Sequence, residues 1–199
     1  MKVLDTFIGA DNLEFKIVEY SRDIVDDVRK FCTKCKDEGF NNNSSISSMK
    51  IGKWGAEEKW WVIYHNSSIV SLCGAHYLPH VHEKCYVIAY RMATLEKYQG
   101  MASNTFSSNM TSCFGMGRIL PYMVDWCISR GATDIVMTLN SPANGEDPSG
   151  TMHKAHRVGR LFLPKDNKFI LLHEDFPLYG AMQDVWKLNY RNFMTMEKI

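Results

Sequence analysis

The most informative hydrophobic pattern lies between residues 85 and 140, where it predicts a strand, a loop, a helix and a second strand. The run CYVIAYRMATL is rich in β-branched and aromatic residues and predicts a buried strand. A polar passage rich in Ser and Asn follows, and then the glycine pair of FGMGRIL. Beyond the glycines, apolar residues recur at helical spacing: Ile119, Leu120, Met123, Val124, Cys127 and Ile128. Arg130 and Gly131 suit the end of this helix, and Asp134 to Leu139 predict a further buried strand.

The residues before this region predict a strand, a helix and a hairpin. Residues 13–20 alternate and predict an opening strand. A helix from about Asp23 to Glu38 follows, with Ser21 as its N-cap. Residues 40–55 are polar and rich in turn formers, and they predict a loop with room for one short helical turn. Such a long loop is often functional. The runs KWWVIYH and IVSLCGAHYL, joined by a turn, predict a hairpin whose third antiparallel neighbour is the strand CYVIAYRMATL.

The last third predicts a loop, a basic helix and two closing strands. The loop is NSPANGEDPSG, and the short helix is MHKAHRVGRLFL. The strands are KFILLHEDF and DVWKLNYRNF, separated by PLYGAMQ. The complete order predicts an α/β protein of the α+β type, with a central mixed, mostly antiparallel sheet of about seven strands flanked by helices.

Composition narrows the class of protein. With 199 residues and 45% apolar content, the chain suits one sizeable core, and we expect a single domain over residues 1–199. Lys and Arg number 23 against 22 Asp and Glu, which gives no support to a nucleic-acid partner. No apolar run is long enough to cross a bilayer, and the N-terminal residues lack the core of a signal peptide. We therefore expect a cytoplasmic protein without a membrane partner, in which the six cysteines are thiols.

Glycines at a helix entry have two interpretations. They let the backbone approach a ligand closely, and the first turn of a helix has amide donors without intrahelical partners. These donors and the helix dipole favour a phosphate or pyrophosphate. Pro121 fits this turn, where its missing N–H costs nothing. The alternative is a structural cap, for which the same glycines would serve.

The order of the elements and the place of the glycine pair resemble the GCN5-related N-acetyltransferase (GNAT) superfamily. That family has a strand, then Arg/Gln-x-x-Gly-x-Gly/Ala, then a helix. Gly115 and Gly117 match the two glycines, whereas Ser112 stands where the family has Arg or Gln. Residues 99–113 resemble an insertion, and an alternative alignment puts the phosphate loop at Gln99-Gly100-Met101-Ala102. We prefer the later glycines because the amphipathic helix begins directly after them.

The resemblance implies an acetyl-CoA site in a GNAT-like fold. The backbone near Met92 and Thr94 would pair with the pantetheine amides, and the strand ending at Asn140 would diverge to admit the thioester. The pyrophosphate would be held by the amides of Phe114, Gly115, Met116, Gly117 and Arg118. No metal is expected, and the acceptor would be an amine-bearing small molecule or protein.

The chemistry implied is direct attack of an amine on the acetyl carbonyl, which needs a base, donors for the oxyanion and an acid for the thiolate. The family often places a Tyr, as the acid, on the helix after the strand that ends at Asn140. Here that helix has none, and His153 or His156 would substitute. Glu96 and Glu174 are candidate bases, acting through a water. Each is otherwise a solvated surface side chain.

Three further patterns have a functional and a plain interpretation. The set Cys32, Cys35, His80, His82 and Cys85 has zinc-ligand chemistry, but its spacing is loose and its first pair falls within a predicted helix. Trp54 and Trp60 form either hairpin packing or an aromatic wall for the acceptor. The cluster MHKAHRVGR is either a solvated helix face or a contact for the 3′-phosphate of the coenzyme.

Two functions follow from the sequence. The first is an acyl-CoA-dependent N-acyltransferase, favoured by the retained glycine pair and the strand before it. The second is a catalytically inactive GNAT-like fold that acts as a protein-binding or structural module. The insertion, Ser112 and the absent Tyr favour this second function. A homodimer is compatible with either.

Overall fold

The fold is that of a computed structural model, which describes residues 1–103, 113–141 and 169–189. Its strands are β1 (Lys2–Ile8), β2 (Glu14–Glu19), β3 (Glu58–His65), β4 (Ser68–Tyr77), β5 (Cys85–Thr94), β6 (Asp134–Asn140), β7 (Phe169–Leu178) and β8 (Ala181–Leu188). Its helices are α1 (Val25–Asp37), α2 (Ile46–Met49) and α3 (Leu120–Ser129). Hydrogen bonds order the strands as β1-β2-β3-β4-β5-β6-β8-β7. The predicted fold class is confirmed, with eight strands in the described residues where the sequence predicted about seven.

Two compact units make up the chain, and the first comprises Met1–His76 and Ala89–Trp126. Its strands β1 to β4 are consecutive antiparallel neighbours. The two faces of these strands and α1 bury large apolar side chains: Phe15, Ile17, Phe31, Trp61, Ile63 and Leu72. The acidic first turn and basic last turn of α1 complement its dipole. These side chains form the close-packed core of the first unit.

A close approach between β3 and β4 depends on Gly74. Gly74 pairs with Trp60 across the two strands. A Cβ atom added at Gly74 would lie 2.6 Å from the Trp60 ring. The indole therefore covers the bare backbone of Gly74, where a side chain would be excluded.

The second unit comprises Tyr77–Ile88 and residues from Cys127 onward. Its parallel ladder joins Cys85–Val87 of β5 to Asp134–Val136 of β6. Strands β6 and β8 are antiparallel, and so are β7 and β8. Residues buried here include Ile135, Val136, Val185 and Leu188.

Two details of the sequence prediction need correction. Strand β1 was not predicted, because most of its side chains are exposed and its alternation is weak. The closing strands are shifted: β7 extends further than predicted, to Leu178, whereas β8 begins earlier, at Ala181, and ends earlier, at Leu188. The turn between them is Tyr179-Gly180, both with positive φ, which suits a two-residue hairpin. The predicted loop 40–55 contains one short helical turn, as expected, which is α2 and begins with a Ser45–Ser48 capping box. The predicted basic helix lies outside the described residues.

Candidate functional site

Strand β5 has an irregular backbone at its centre. Ala89 and Arg91 both have left-handed φ angles, 56° and 49°, although neither is glycine. The amide of Ala89 is directed at Sδ of Met123 on α3, at 3.3 Å. Such an irregularity bends a strand and redirects its side chains, and it is common next to functional sites.

Beyond this irregularity, β5 carries Met92 and Thr94, the residues predicted to face pantetheine. Both are partly exposed. The Thr94 hydroxyl lies 2.8 Å from the hydroxyl of Ser71 on β4, which fixes its orientation. Sδ of Met92 lies 3.4 Å from Sγ of Cys113, at the start of the glycine turn. The structure therefore brings Met92 and the predicted phosphate turn together within the first unit.

The glycine turn is a single π-helical turn, Phe114–Ile119, that leads directly into α3. Phe114 is 1% exposed and packs on the Phe15 ring, with ring centroids 4.9 Å apart. Gly115 is buried, and a Cβ atom there would lie only 2.2 Å from Sδ of Met92. The first glycine is thus required by packing within the chain. Gly117 is partly exposed, so it is the glycine of the pair that a ligand can approach.

One donor of this turn has a backbone partner within the chain. The amide of Gly117 donates to the carbonyl oxygen of Cys113 at 2.6 Å. Cys113 occupies the N-cap position of the turn, but its side chain makes no capping hydrogen bond. Burial raises the pKa of the Cys113 thiol, and the amides of Met116 and Gly115 only partly offset that effect.

Arg118 is also engaged within the chain. Its Nε donates to the carbonyl oxygen of Ala102 at 2.6 Å, and its guanidinium lies 4.4 Å from the centre of the Phe7 ring. Ala102 belongs to the alternative phosphate loop, in which Gly100 has a φ of 78°. The two segments that the sequence offered for the phosphate are therefore joined by the Arg118 side chain.

The predicted catalytic residues lie in different parts of the chain. Glu96 is exposed in a short 3-10 turn, and its backbone amide donates to a carboxylate oxygen of Glu38 at 2.9 Å. Glu174 is exposed on β7, at a register shift between His173 and Phe176. His153 and His156 lie outside the described residues. The structure places Glu96 in the first unit and Glu174 in the second.

Asn140, predicted to face the thioester, ends β6 in the second unit. Its side-chain oxygen accepts a hydrogen bond from Nε2 of Gln183, its partner on β8. The next amide, that of Ser141, donates to the carbonyl oxygen of Met182 at 2.9 Å. The end of β6 is therefore fixed by β8.

An aromatic group in the first unit was only partly anticipated. The Trp54 indole stacks on the His76 imidazole, with centroids 3.7 Å apart and planes 5° from parallel. Tyr90 meets His76 edge-to-face at 4.6 Å, and Trp60 lies 5.9 Å from Tyr90. Burial raises the pKa of Tyr90. The sequence signal was the lone His in the apolar run IVSLCGAHYL, which becomes meaningful only once the strand register is known.

The zinc interpretation finds no support in the cysteine geometry. Cys32 and Cys35 are buried inside α1, and burial raises their pKa values to about 11 and about 12. Burial likewise raises the pKa of Cys85 to about 12. Within residues 1–103, 113–141 and 169–189, no three His, Cys, Asp or Glu side chains are grouped as metal ligands. In this same part of the chain, every helix is too short or too polar to span a bilayer.

Comparison with known proteins defines the fold. No protein-family model matches the sequence, and no curated protein matches it. Among solved structures, the chain has the fold of the GNAT acetyltransferases. It matches the GNAT domain of S. lividans PAT with a TM-score of 0.59 and 12% identity, over 92% of this chain and 96% of that domain.

Two further structures show the same fold. A GNAT-family acetyltransferase from Staphylococcus aureus Mu50 matches with a TM-score of 0.55 and 13% identity, over 88% of this chain and 99% of its own. An aminoglycoside 6'-N-acetyltransferase complexed with coenzyme A matches with a TM-score of 0.54 and 12% identity, over 87% of this chain and 95% of its own. At these identities the likeness establishes the fold alone.

Proposed function

We propose that the protein is an acyl-CoA-dependent N-acyltransferase that transfers an acetyl group to an amine. The observation that carries this proposal is the contact of Met92 on β5 with Gly115 in the turn before α3. It sets a strand backbone beside a helix entry, the two features that pantetheine and pyrophosphate would require. The fold, shared with an acetyltransferase complexed with coenzyme A, supports the same function.

In the proposed complex, backbone groups near Met92 and Thr94 pair with the pantetheine amides. Amides of residues 114–118 bind the pyrophosphate, with the partly exposed Gly117 as the point of closest approach. Asn140 remains a predicted contact in the second unit.

The proposed reaction forms a bond between the amine nitrogen and the acetyl carbon and breaks the bond from that carbon to sulfur. The ammonium proton passes to a base before attack, and the departing thiolate takes up a proton. Glu96 remains the proposed base in the first unit, acting through a water, and Glu174 and His156 remain predictions. We further propose that residues 1–199 act as one domain and that the protein is cytoplasmic.

The alternative function is a catalytically inactive module that binds another protein. The specific observation in its favour is that the Gly117 amide and the Arg118 side chain make intramolecular hydrogen bonds where the transferase would contact its coenzyme. A turn whose donors are permanently engaged in this way would be a structural element only.

Titration calorimetry with acetyl-CoA distinguishes the two functions. We expect micromolar binding to the wild-type chain and loss of binding in Gly117→Glu, because a carboxylate there would repel the pyrophosphate. Ile128→Glu is the matched control, since it adds the same charge at a position of α3 that is 47% exposed. Gln99→Glu tests the alternative phosphate loop: loss of binding there, with Gly117→Glu unaffected, would move the site to residues 99–102. Absence of heat with the wild-type chain would contradict the transferase and favour the module.

A further inference from the structure

In the aromatic group around His76, two rings are held by strands and the third belongs to the segment between α2 and β3. His76 on β4 is 1% exposed, and Tyr90 on β5 is 8% exposed, so strands hold both rings. Trp54 is different, because it is partly exposed and lies between α2 and β3. Its segment contains Lys50, Gly52 and Gly55, all with positive φ. We call the space that the Trp54 indole fills, against His76 and Tyr90, the His76 slot.

The carboxylate of Glu58 holds the Trp54 segment in place. Glu58 lies opposite His76 in the β3–β4 register. Its side chain accepts hydrogen bonds from the amide of Trp54 at 3.1 Å, from the amide of Gly52, and from the indole nitrogen of Trp60 at 3.1 Å. If the Trp54 segment moves away, two of these three donors leave with it. A carboxylate would then need a new donor beside an aromatic slot.

The contacts of Trp54 indicate what the slot accepts. One face of the indole lies flat on His76 at 3.7 Å, so the Lys53 ammonium, 4.8 Å from the ring centre, lies over the opposite face. The chain thus places a flat ring, a nearby ammonium and a carboxylate in one small region. An arylalkylamine carries the first two of these groups in one molecule and complements the third.

We propose that the His76 slot binds an aromatic primary amine, whose ring replaces the Trp54 indole against His76 and whose ammonium pairs with Glu58. This inference rests on the proposed function, since the amine would be the acceptor of the acyl group. Trp54 and His76 stack in parallel with their ring centroids 3.7 Å apart, which explains the preference for an aromatic ring. A saturated ring is thicker and cannot stack on an imidazole at this distance. The charge on Glu58 explains the preference for an amine.

The test compares two amines of nearly equal size, phenethylamine and 2-cyclohexylethylamine, by NMR titration of the full chain without coenzyme. The indole N–H signal of Trp54 is assigned from Trp54→Ala. We expect phenethylamine to bind about tenfold more tightly than its saturated analogue and to shift the Trp54 signal. Trp54→Ala should bind phenethylamine more tightly than the wild-type chain, because the slot no longer has to be vacated. Tyr179→Ala, which removes an exposed aromatic ring elsewhere, should change nothing.

Glu58→Gln tests the role of the charge. It should weaken phenethylamine binding about tenfold relative to the binding of neutral indole, because a looser Trp54 segment favours both ligands equally and only phenethylamine carries the charge. Equal affinity for the two amines, or weaker phenethylamine binding in Trp54→Ala, would overturn the inference. The outcome is separate from that of the acetyl-CoA titration. Binding of acetyl-CoA without binding of phenethylamine would retain the transferase and reject the slot, and the reverse would retain the slot and reject the transfer.

Discussion

Gly115 offers the most direct test of how the glycine turn is built. In Gly115→Ala, the new methyl group would lie 2.2 Å from Sδ and 3.0 Å from Cγ of Met92, and 3.5 Å from Sγ of Cys73. Overpacking of this kind costs about 1–3 kcal/mol, and the flexible Met side chain favours the lower half of that range. Replacing glycine by alanine within a helix returns about 1 kcal/mol. We therefore expect a net destabilisation of about 0–1 kcal/mol.

The cause can be separated from a general effect by a double-mutant cycle. Met92→Ala removes the atoms that clash, so Gly115→Ala in that background should be neutral or stabilising by up to about 1 kcal/mol. The free energy of unfolding would be measured by urea denaturation followed by circular dichroism, with unchanged m-values as the check on two-state behaviour. An equal loss of stability in both backgrounds would refute the explanation.

Two further predictions concern titration and thiol chemistry. Burial raises the pKa of Glu19, but hydrogen bonds and charges from Lys59 and Lys2 lower it more, so its net pKa is below the ordinary value. The ionised Glu19 therefore contributes fully to stability above the ordinary carboxyl pKa, and this contribution is lost as pH falls through the lowered pKa. Glu19→Gln should make the urea midpoint of unfolding depend less on pH in this acidic range. The same pH dependence of the midpoint in both proteins would contradict this. Cys113 is partly exposed and the other five cysteines are buried, so an aromatic disulfide reagent should react with one thiol of the native chain, slowly at neutral pH and faster as pH rises, because burial raises the Cys113 pKa. Cys113→Ser should abolish that reaction. Reaction of a second thiol in the native chain would contradict the prediction.

Periodicity and turn chemistry predicted most of the described elements. β5, β6 and the hairpin of β3 and β4 appear close to their predicted bounds, because their apolar runs are long and end at turn residues. β1 was missed since it lies at the edge of the sheet and buries little. Its alternation of apolar and polar residues is therefore too weak to predict a strand.

The candidate site was predictable in place but not in detail. The glycine turn precedes its helix as predicted. That the Arg118 side chain donates to the carbonyl oxygen of Ala102 could not be predicted, because this contact joins residues 16 positions apart in the chain. The group around His76 depends on the register that sets Glu58 opposite His76, and on a ring brought from residue 54. Such contacts join positions far apart in sequence, which periodicity does not encode.

The close contact between Gly74 and the Trp60 indole limits which residues these two positions can hold. Because a methyl group at residue 74 would lie 2.6 Å from the indole, neither position can change freely while the other keeps its present residue. In a library that randomises both codons, surviving clones should keep glycine at 74 wherever tryptophan stays at 60, and larger residues should appear at 74 only with a smaller one at 60. The two positions would be inherited as a pair, although fourteen places apart in the chain.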